Sequence, residues 1–495
     1  MNQYILAHDL GTTGNKATLF DEKGKLVASY VSPYAMHVFN QNWAEQDPAF
    51  WWDAVCLSSE KVLATIDRKK VAAVSFSGQM MACLCVDEQG KPLYNSLIYC
   101  DQRSTKQEKE FIDALGFEKI YTITGHRPSS SYSLTKLMWI RENLPEVYKK
   151  THKVLQAKDY VSFLLTGKFY TDYNDASGTN AFDLETLSWS DEILNGVGIP
   201  KSLFPEAVPS TTCIGSVHRK ASQATGIPEG TPVIIGSGDG GCASLGAGSV
   251  SFGKPYCYMG SSSWVSIASE RPLIDEKMLA FTWAHPVEGL YQPCATMQTA
   301  GGSLSWFAKT FLNSSDGKTM DRVNVLAEAS QPGANGLYYL PYLMGERSPW
   351  WNTQAQGAFV GMNVNTNFND FCRALLEGVA MNLNLCITGM LAEVPDRQVN
   401  FIGGGALNVY LRKILSDVFG CDIMIPQFLT EATSMGAALL GGVGCSLYED
   451  FSIIEQMNPT KEIIQPDMKV HALYQKKVER FAALYKSLEP WFSED

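Results

Sequence analysis

The chain has twelve cysteines but no Cys-x-x-Cys pair. Cys83 and Cys85 come closest, so zinc-knuckle and thioredoxin-type spacing is excluded, and the cysteines read as scattered reduced thiols of a cytoplasmic enzyme. Uninterrupted apolar runs of about 18 residues are missing too, so no membrane span is expected. The first residues reach His8 and Asp9 without the apolar stretch that a secretory signal needs. Positive charge is in short supply: 40 Lys and Arg face 51 Asp and Glu, a formal net charge of -11. That balance argues against nucleic acid or an anionic membrane as main partner, since both demand clustered cations. Arg68-Lys69-Lys70 reads as a solvated turn. With 41 glycines and 22 prolines, low complexity is excluded as well.

What is present is enough for a large core: 495 residues, 45% of them hydrophobic. Single cores stop growing near ~250–300 residues, so two large domains are expected. Residues 4–7, 16–20 and 25–31 read as three strands joined by a polar turn at Asp9 to Gly14 and a glycine turn at Asp21 to Gly24, an antiparallel meander. A related pattern recurs at 255–259 and 264–269, around a small hydroxyl-rich turn from Gly260 to Ser263. Helical apolar spacing covers 49–61, 133–143, 369–390 and 409–419, with Asn369 or Asp370 as cap of the third. Alternating strands and helices imply an α/β architecture. The break at Leu245-Gly246-Ala247-Gly248-Ser249 divides the chain into domains 1–247 and 248–495, with a closing helical segment from about 448.

Asp239 stands alone in the turn Gly236-Ser237-Gly238-Asp239-Gly240-Gly241, directly after the apolar run 231–235. The turn spells G-x-G-x-x-G, but a dinucleotide fingerprint also needs an acidic residue about 20 positions on. From Asp239 to Glu270 there is none, and Asp239 would itself oppose a pyrophosphate. A lone carboxylate there suits acid-base work at the mouth of a cleft. The turn Asp9-Leu10-Gly11-Thr12-Thr13-Gly14 suits a nucleoside triphosphate, with backbone N–H groups and hydroxyls for phosphate oxygens and Asp9 for Mg²⁺. Lys16 is expected to neutralise the γ-phosphate. A plain strand-ending turn fits Asp9 to Gly14 equally well. The third glycine-rich turn, Gly403-Gly404-Gly405-Ala406, follows a strand at 399–402 and favours the phosphate reading.

The segment Ser131-Tyr132-Ser133-Leu134-Thr135-Lys136-Leu137-Met138-Trp139-Ile140-Arg141-Glu142-Asn143 and the pair Gly357-Ala358-Phe359-Val360-Gly361-Met362 and Ala374-Leu375-Leu376-Glu377 carry a resemblance. So do Trp43 to Pro48, Lys158-Asp159-Tyr160 and Leu340 to Arg347. On these, over essentially its whole length, the chain resembles the FGGY carbohydrate kinases, and within them the xylulose kinases most. The resemblance implies two actin-like, ribonuclease H-like ATPase domains facing an interdomain cleft where ATP and sugar meet. It implies Asp239 as catalytic base and Asp9 as the acidic residue near Mg²⁺. ATP would be lined by Thr12, Thr13, Gly260, Ser261, Gly301, Gly404, Gly405 and Asn408. Sugar contacts would come from Gln79, Met80 and Met81 and from Asp101, Gln102 and Arg103. It further implies homodimers, although no interface is legible.

Two departures bear on the substrate. Met80-Met81 stands where xylulose kinases carry Met-His, and Gly240 stands where Asn is common. A thioether accepts hydrogen bonds only weakly, so a polar sugar contact is lost. Met81 read as an ordinary core residue, and Asp101 with Arg103 as a surface ion pair, are the structural alternatives. The expected activity is ATP- and Mg²⁺-dependent phosphorylation of a terminal hydroxyl of a ketopentose, D-xylulose first. Another ketose, a polyol or a sugar acid such as gluconate is the alternative within the class. Outside it stand an actin-fold ATPase acting as a binding switch, for which a base at Asp239 would be idle, and a silent sugar-binding regulator, which would need neither Asp9 nor Asp239.

Overall fold

Alternating small and branched residues near the start build a three-stranded meander: β1 (Tyr4–Leu10), β2 (Gly14–Asp21) and β3 (Leu26–Pro33). The computed structural model describes residues 3–493 apart from 276, 315, 392–393 and 395–396. β1 is buried on both faces, whereas every second residue of β3 from Val27 to Val31 faces solvent, as an edge strand should. Helix α1 (Pro48–Leu63) covers the meander, with Asp47 capping the Ala49 N–H. β4 (Val71–Gly78) then pairs parallel to β1, and β5 (Pro232–Ile234) parallel to β4. The sheet is completed by Cys213–Ser216 outside β5, and Ser237–Gly238 adds to the end of β4. Residues 79–210 build a helical layer with its own core around α2 (Ser133–Asn143), where Leu134, Leu137 and Ile140 are buried.

The second half repeats the plan after helix α3 (Asp239–Gly246). β6 (Pro255–Met259), β7 (Ser263–Ile267) and β8 (Tyr291–Met297) form a meander, and after helix α4 (Phe368–Leu391) the strand β9 (Gln398–Ile402) pairs parallel to β6. Helix α5 (Val409–Phe419) then leads to β10 (Asp422–Pro426), parallel to β9. The order β3-β2-β1-β4-β5 of the first sheet is thus matched by β8-β7-β6-β9-β10 in the second, the doubled arrangement that the resemblance implies. α4 is long and apolar enough by length and composition to cross a bilayer. It is instead the core helix of this half, carrying a buried Arg373–Glu377 pair at 2.6 Å. Its expected cap is corrected: Asn367 accepts the Asn369 N–H at 2.9 Å, while Asp370 accepts the Asn367 N–H at 3.0 Å.

Helix α6 (Ala432–Gly444) returns to the first sheet, where Met435, Leu439 and Leu440 pack against Ile5, Ala7, Phe20 and Ala73. Each fully buried leucine contributes roughly 1.5–3 kcal/mol. From there the chain rejoins the second sheet at Thr460–Ile464, beside β10, and ends in the long helix Met468–Leu488. α6 and α3 touch backbone to backbone. A Cβ built on Gly436 would lie 2.1 Å from the Cys242 carbonyl oxygen, and one on Gly246 1.9 Å from the Ala432 carbonyl oxygen.

Gly436→Ala therefore forces the two helices apart and should cost about 1–3 kcal/mol. Gly317→Ala, at a helical glycine with open space around it, should leave the thermal midpoint unchanged or raise it slightly. Melting curves of the two variants check this, and equal effects would contradict the close crossing.

Candidate active site

Asp239 is the first residue of α3, and the chain reaches it by a turn open only to glycine. Gly236 has φ 72°, and a Cβ there would lie 2.0 Å from the Phe76 carbonyl oxygen. The turn is tied down from below by a buried network. The Ser237 hydroxyl donates to Asp172 at 3.0 Å, and Asp172 pairs with Lys158 at 2.9 Å. Lys158, fully buried, also meets Asp159 at 2.7 Å and Asp175 at 3.1 Å. Burial of that kind is tolerable for an ammonium only because carboxylates surround it.

The Asp239 side chain is partly exposed. Its enclosure by protein pushes the carboxyl up to about 7, and the neighbouring charge of Asp9 adds to the shift. The Gly240 and Asp239 backbone N–H groups oppose it. Asp9, near the end of β1, faces Ser77 of β4 on one side and Lys16 of β2 on the other. Burial raises its pKa as well, but here Thr433 and Ser77 hydroxyls and Lys16 work against the rise. Thr433, in the first turn of α6, donates to Asp9 at 2.6 Å. Because β1 runs on to Leu10, Asp9 projects from a strand, and the turn proper is confined to Gly11, Thr12 and Thr13. Lys16 is ion-paired with Glu431, the residue preceding α6, so its charge is already neutralised.

The three glycine turns differ in how their backbones are held. Thr12 and Thr13 lie on the surface of the first, whose backbone is held by Tyr34 Oη on the Gly11 carbonyl at 2.5 Å and by Gln46 Nε2 on the Thr12 carbonyl at 2.6 Å. In the second half, the Gly301 N–H donates to the Gly260 carbonyl at 3.1 Å, and the Ala300 and Gly302 N–H groups both donate to the Ser261 carbonyl at 2.9 Å. A Cβ on Gly301 would lie 2.3 Å from the Gly260 oxygen, so only glycine permits this approach. Gly404 is exposed with open space around it, whereas Gly405 packs on Met259. Asn408 is occupied as the cap of α5, accepting from the Leu411 N–H at 3.0 Å and donating to Asn324 at 2.9 Å. Its neighbours Leu407 and Val409, not anticipated from sequence, present apolar side chains to solvent there.

Gln79 and Met80 are buried beside Asp239: Gln79 Nε2 donates to Gln46 at 2.6 Å, and Met80 packs under Gly238 within a cluster with Phe281, Trp283 and Cys294. Met81 borders that cluster, partly exposed, with φ 61°. Asp101 and Arg103 correct two expectations at once. They form neither a surface pair nor a cleft-facing one, because Asp101 is saturated by the Ala44 N–H at 2.7 Å and the Arg103 guanidinium at 2.7 Å. Arg103 also meets Glu45 at 2.8 Å and lies 4.0 Å from the Trp43 ring centre. Gln102 is likewise engaged, donating to Ser131 Oγ at 2.6 Å and accepting from Ser130 Oγ at 2.6 Å. From this segment it is Tyr99, 39% exposed, that lies near Thr12 and feels both Asp239 and Arg347. Arg347 also acts on Tyr132. Across the cleft, the Gly240 carbonyl accepts from Gln292 at 3.2 Å. No spacing rule singles out Tyr99, Arg347 or Gln292, since each is an ordinary polar residue until the fold collects them.

The geometry has counterparts among known proteins. The N-terminal domain of the FGGY family of carbohydrate kinases matches residues 4–246, and its C-terminal domain matches residues 256–445. A xylulose kinase of Lactococcus lactis subsp. lactis (strain IL1403) is 30% identical over 492 residues, covering 98% of this chain and 97% of its own. A gluconokinase of Bacillus licheniformis is 29% identical over 500 residues, covering 99% and 97%. The crystal structure of gluconate kinase from Lactobacillus acidophilus superposes with a TM-score of 0.93 at 26% identity, covering 100% of this chain and 99% of that one. With two domains matched in order and an actin-like fold in each half, this chain belongs to the FGGY family of carbohydrate kinases.

Proposed function

We propose that this sugar kinase transfers the γ-phosphoryl group of ATP to the terminal hydroxyl of a ketopentose, D-xylulose, giving the 5-phosphate. The observation that carries the reading is Asp239, a partly exposed carboxylate with its pKa raised to about 7. A general base works best with a pKa near the operating pH. Phosphoryl transfer passes through a loose transition state, so alignment contributes most and Asp239 takes the hydroxyl proton late. Gln79, Met80 and Met81 line the sugar beside it, and the aromatic cluster of Phe281 and Trp283 keeps water from that side.

The residues fit a nucleotide. Gly301 and Gly260 touch through their backbones and Gly404 is open, which leaves room for phosphates against Thr12, Thr13, Gly260, Ser261, Gly301, Gly404 and Gly405. Among the described residues, no group of three or more His, Cys, Asp or Glu could hold a metal ion. Mg²⁺ binds through one or two carboxylates together with phosphate oxygens, and Asp9 is the carboxylate proposed for it. Bound Mg-ATP supplies the phosphoryl group and screens its charge.

A sugar acid is the second reading. It is supported by the thioether of Met81, which offers no hydrogen bond to a ketose hydroxyl, and by the likeness to gluconate kinases. An ADP-release screen across pentuloses, hexuloses, polyols and aldonates separates the two: D-xylulose is expected to give the highest kcat/KM, and a higher value for an aldonate would replace it.

Asp239→Asn should keep nucleotide binding and lose turnover by ~10²–10⁴-fold. Retention of more than about a tenth of the turnover would remove the base assignment. Only ionised Asp239 accepts a proton, so kcat/KM for the sugar should fall as pH drops below about 7. A profile flat down to about pH 5, near the ordinary carboxylate range, would show that Asp239 is not the titrating base.

A further inference from the structure

We infer that Lys136 is a positioning residue for sugar recognition, gathering into one tripod the three backbone segments that carry Met81, Tyr99 and Tyr132 to the cleft. Its side chain, on α2, is fully buried. The ammonium donates to the carbonyls of Met81 at 2.8 Å, Ile98 at 2.7 Å and Ser131 at 2.6 Å. Three donors are all that an ammonium has, so its capacity is used completely. Ile98 directly precedes Tyr99, and Ser131 directly precedes Tyr132. Met81 and Tyr132 pack on the same cluster of Met80, Phe281 and Trp283, where the Tyr132 hydroxyl meets His126 Nδ1 at 2.9 Å.

The Met81 peptide is clamped from both sides. Its carbonyl is held by Lys136, and the Ala82 N–H of the same peptide unit donates to Gln156 Oε1 at 2.7 Å. Such a clamp is what a non-glycine residue at φ 61° requires, because an unconstrained methionine would leave that region. The Gln156 amide is itself fixed by Ser133 Oγ at 3.1 Å, so the support lies wholly in the interior. Lys136 has no carboxylate partner at ion-pair distance among the described residues. Asp101, Cys83 and Cys100 favour its proton from nearby, Arg103 opposes it, and burial, the largest influence, lowers its pKa to about 8. The tripod is accordingly complete below about pH 8 and loses a donor above it.

The inference rests on the sugar-kinase reading of this cleft, and its test uses whichever panel sugar the wild type turns over best. Lys136→Met and Gln156→Ala are compared with wild type for sugar KM, ATP KM and kcat. The expected result is a sugar KM raised roughly tenfold or more, with ATP KM within about twofold, because only substrate-facing residues are displaced. In wild type, sugar KM should also rise above about pH 8 while ATP KM stays level. If Lys136→Met fails to fold, Gln156→Ala and the wild-type alkaline profile decide. An unchanged sugar KM in the folded variants, or sugar and ATP KM rising in equal proportion, would overturn the positioning role. A wild type that phosphorylates no panel sugar would overturn the reading of the cleft and this inference with it.

Discussion

Backbone contact between α3 and α6 is the constraint on which the cleft depends. One helix begins with Asp239 and the other carries in its first turn the Thr433 that binds Asp9, so the separation of the two carboxylates depends on how closely the helices cross. Glycine at 246 and 436 lets them touch. A side chain at either position would part them and with them the two charges. The same return of α6 binds the halves together, since its apolar face lies on the first sheet while the chain on either side belongs to the second.

Holding two carboxylates near each other in a poorly solvated place has an electrostatic consequence. Burial raises both, but their partners differ. Asp9 has the Thr433 hydroxyl, the Ser77 hydroxyl and the Lys16 ammonium on its side, whereas Asp239 has only backbone N–H groups. The environment thereby leaves Asp9 the better partnered of the two carboxylates and Asp239 the less supported. Lys16, paired with Glu431, contributes to this balance. Behind Asp239 the Lys158 network fixes the turn, and behind Met81 the Lys136 tripod does the corresponding work for the sugar rim.

Much of the scaffold was legible because its signals are local. The meander, the span of α2 and that of α5 follow from alternation and helical spacing, and Gly236, Gly301 and Gly403 mark places where backbones meet. Asp239 stood out because no other acid follows it for thirty residues. Orientation was not legible. Asp101 and Arg103 carry polar side chains that point inward to Ala44, Glu45 and Trp43, and nothing in their spacing says so. Asn408 resembles a ligand-facing amide but is consumed by capping. Tyr99, Gln292 and Arg347 come near Asp239 from segments far apart in sequence, so only the assembled fold brings them together.

The central claim is that Asp239 titrates near neutrality because it is buried, with the charge of Asp9 beside it adding to the shift. The most direct measurement is the pH dependence of kcat/KM for the sugar in Asp9→Asn compared with wild type. The residual activity of the variant should show its acid limb displaced to lower pH than the wild-type limb near 7, since the amide removes a negative charge that disfavours ionisation of Asp239. An acid limb that stays where it is in wild type would contradict the account.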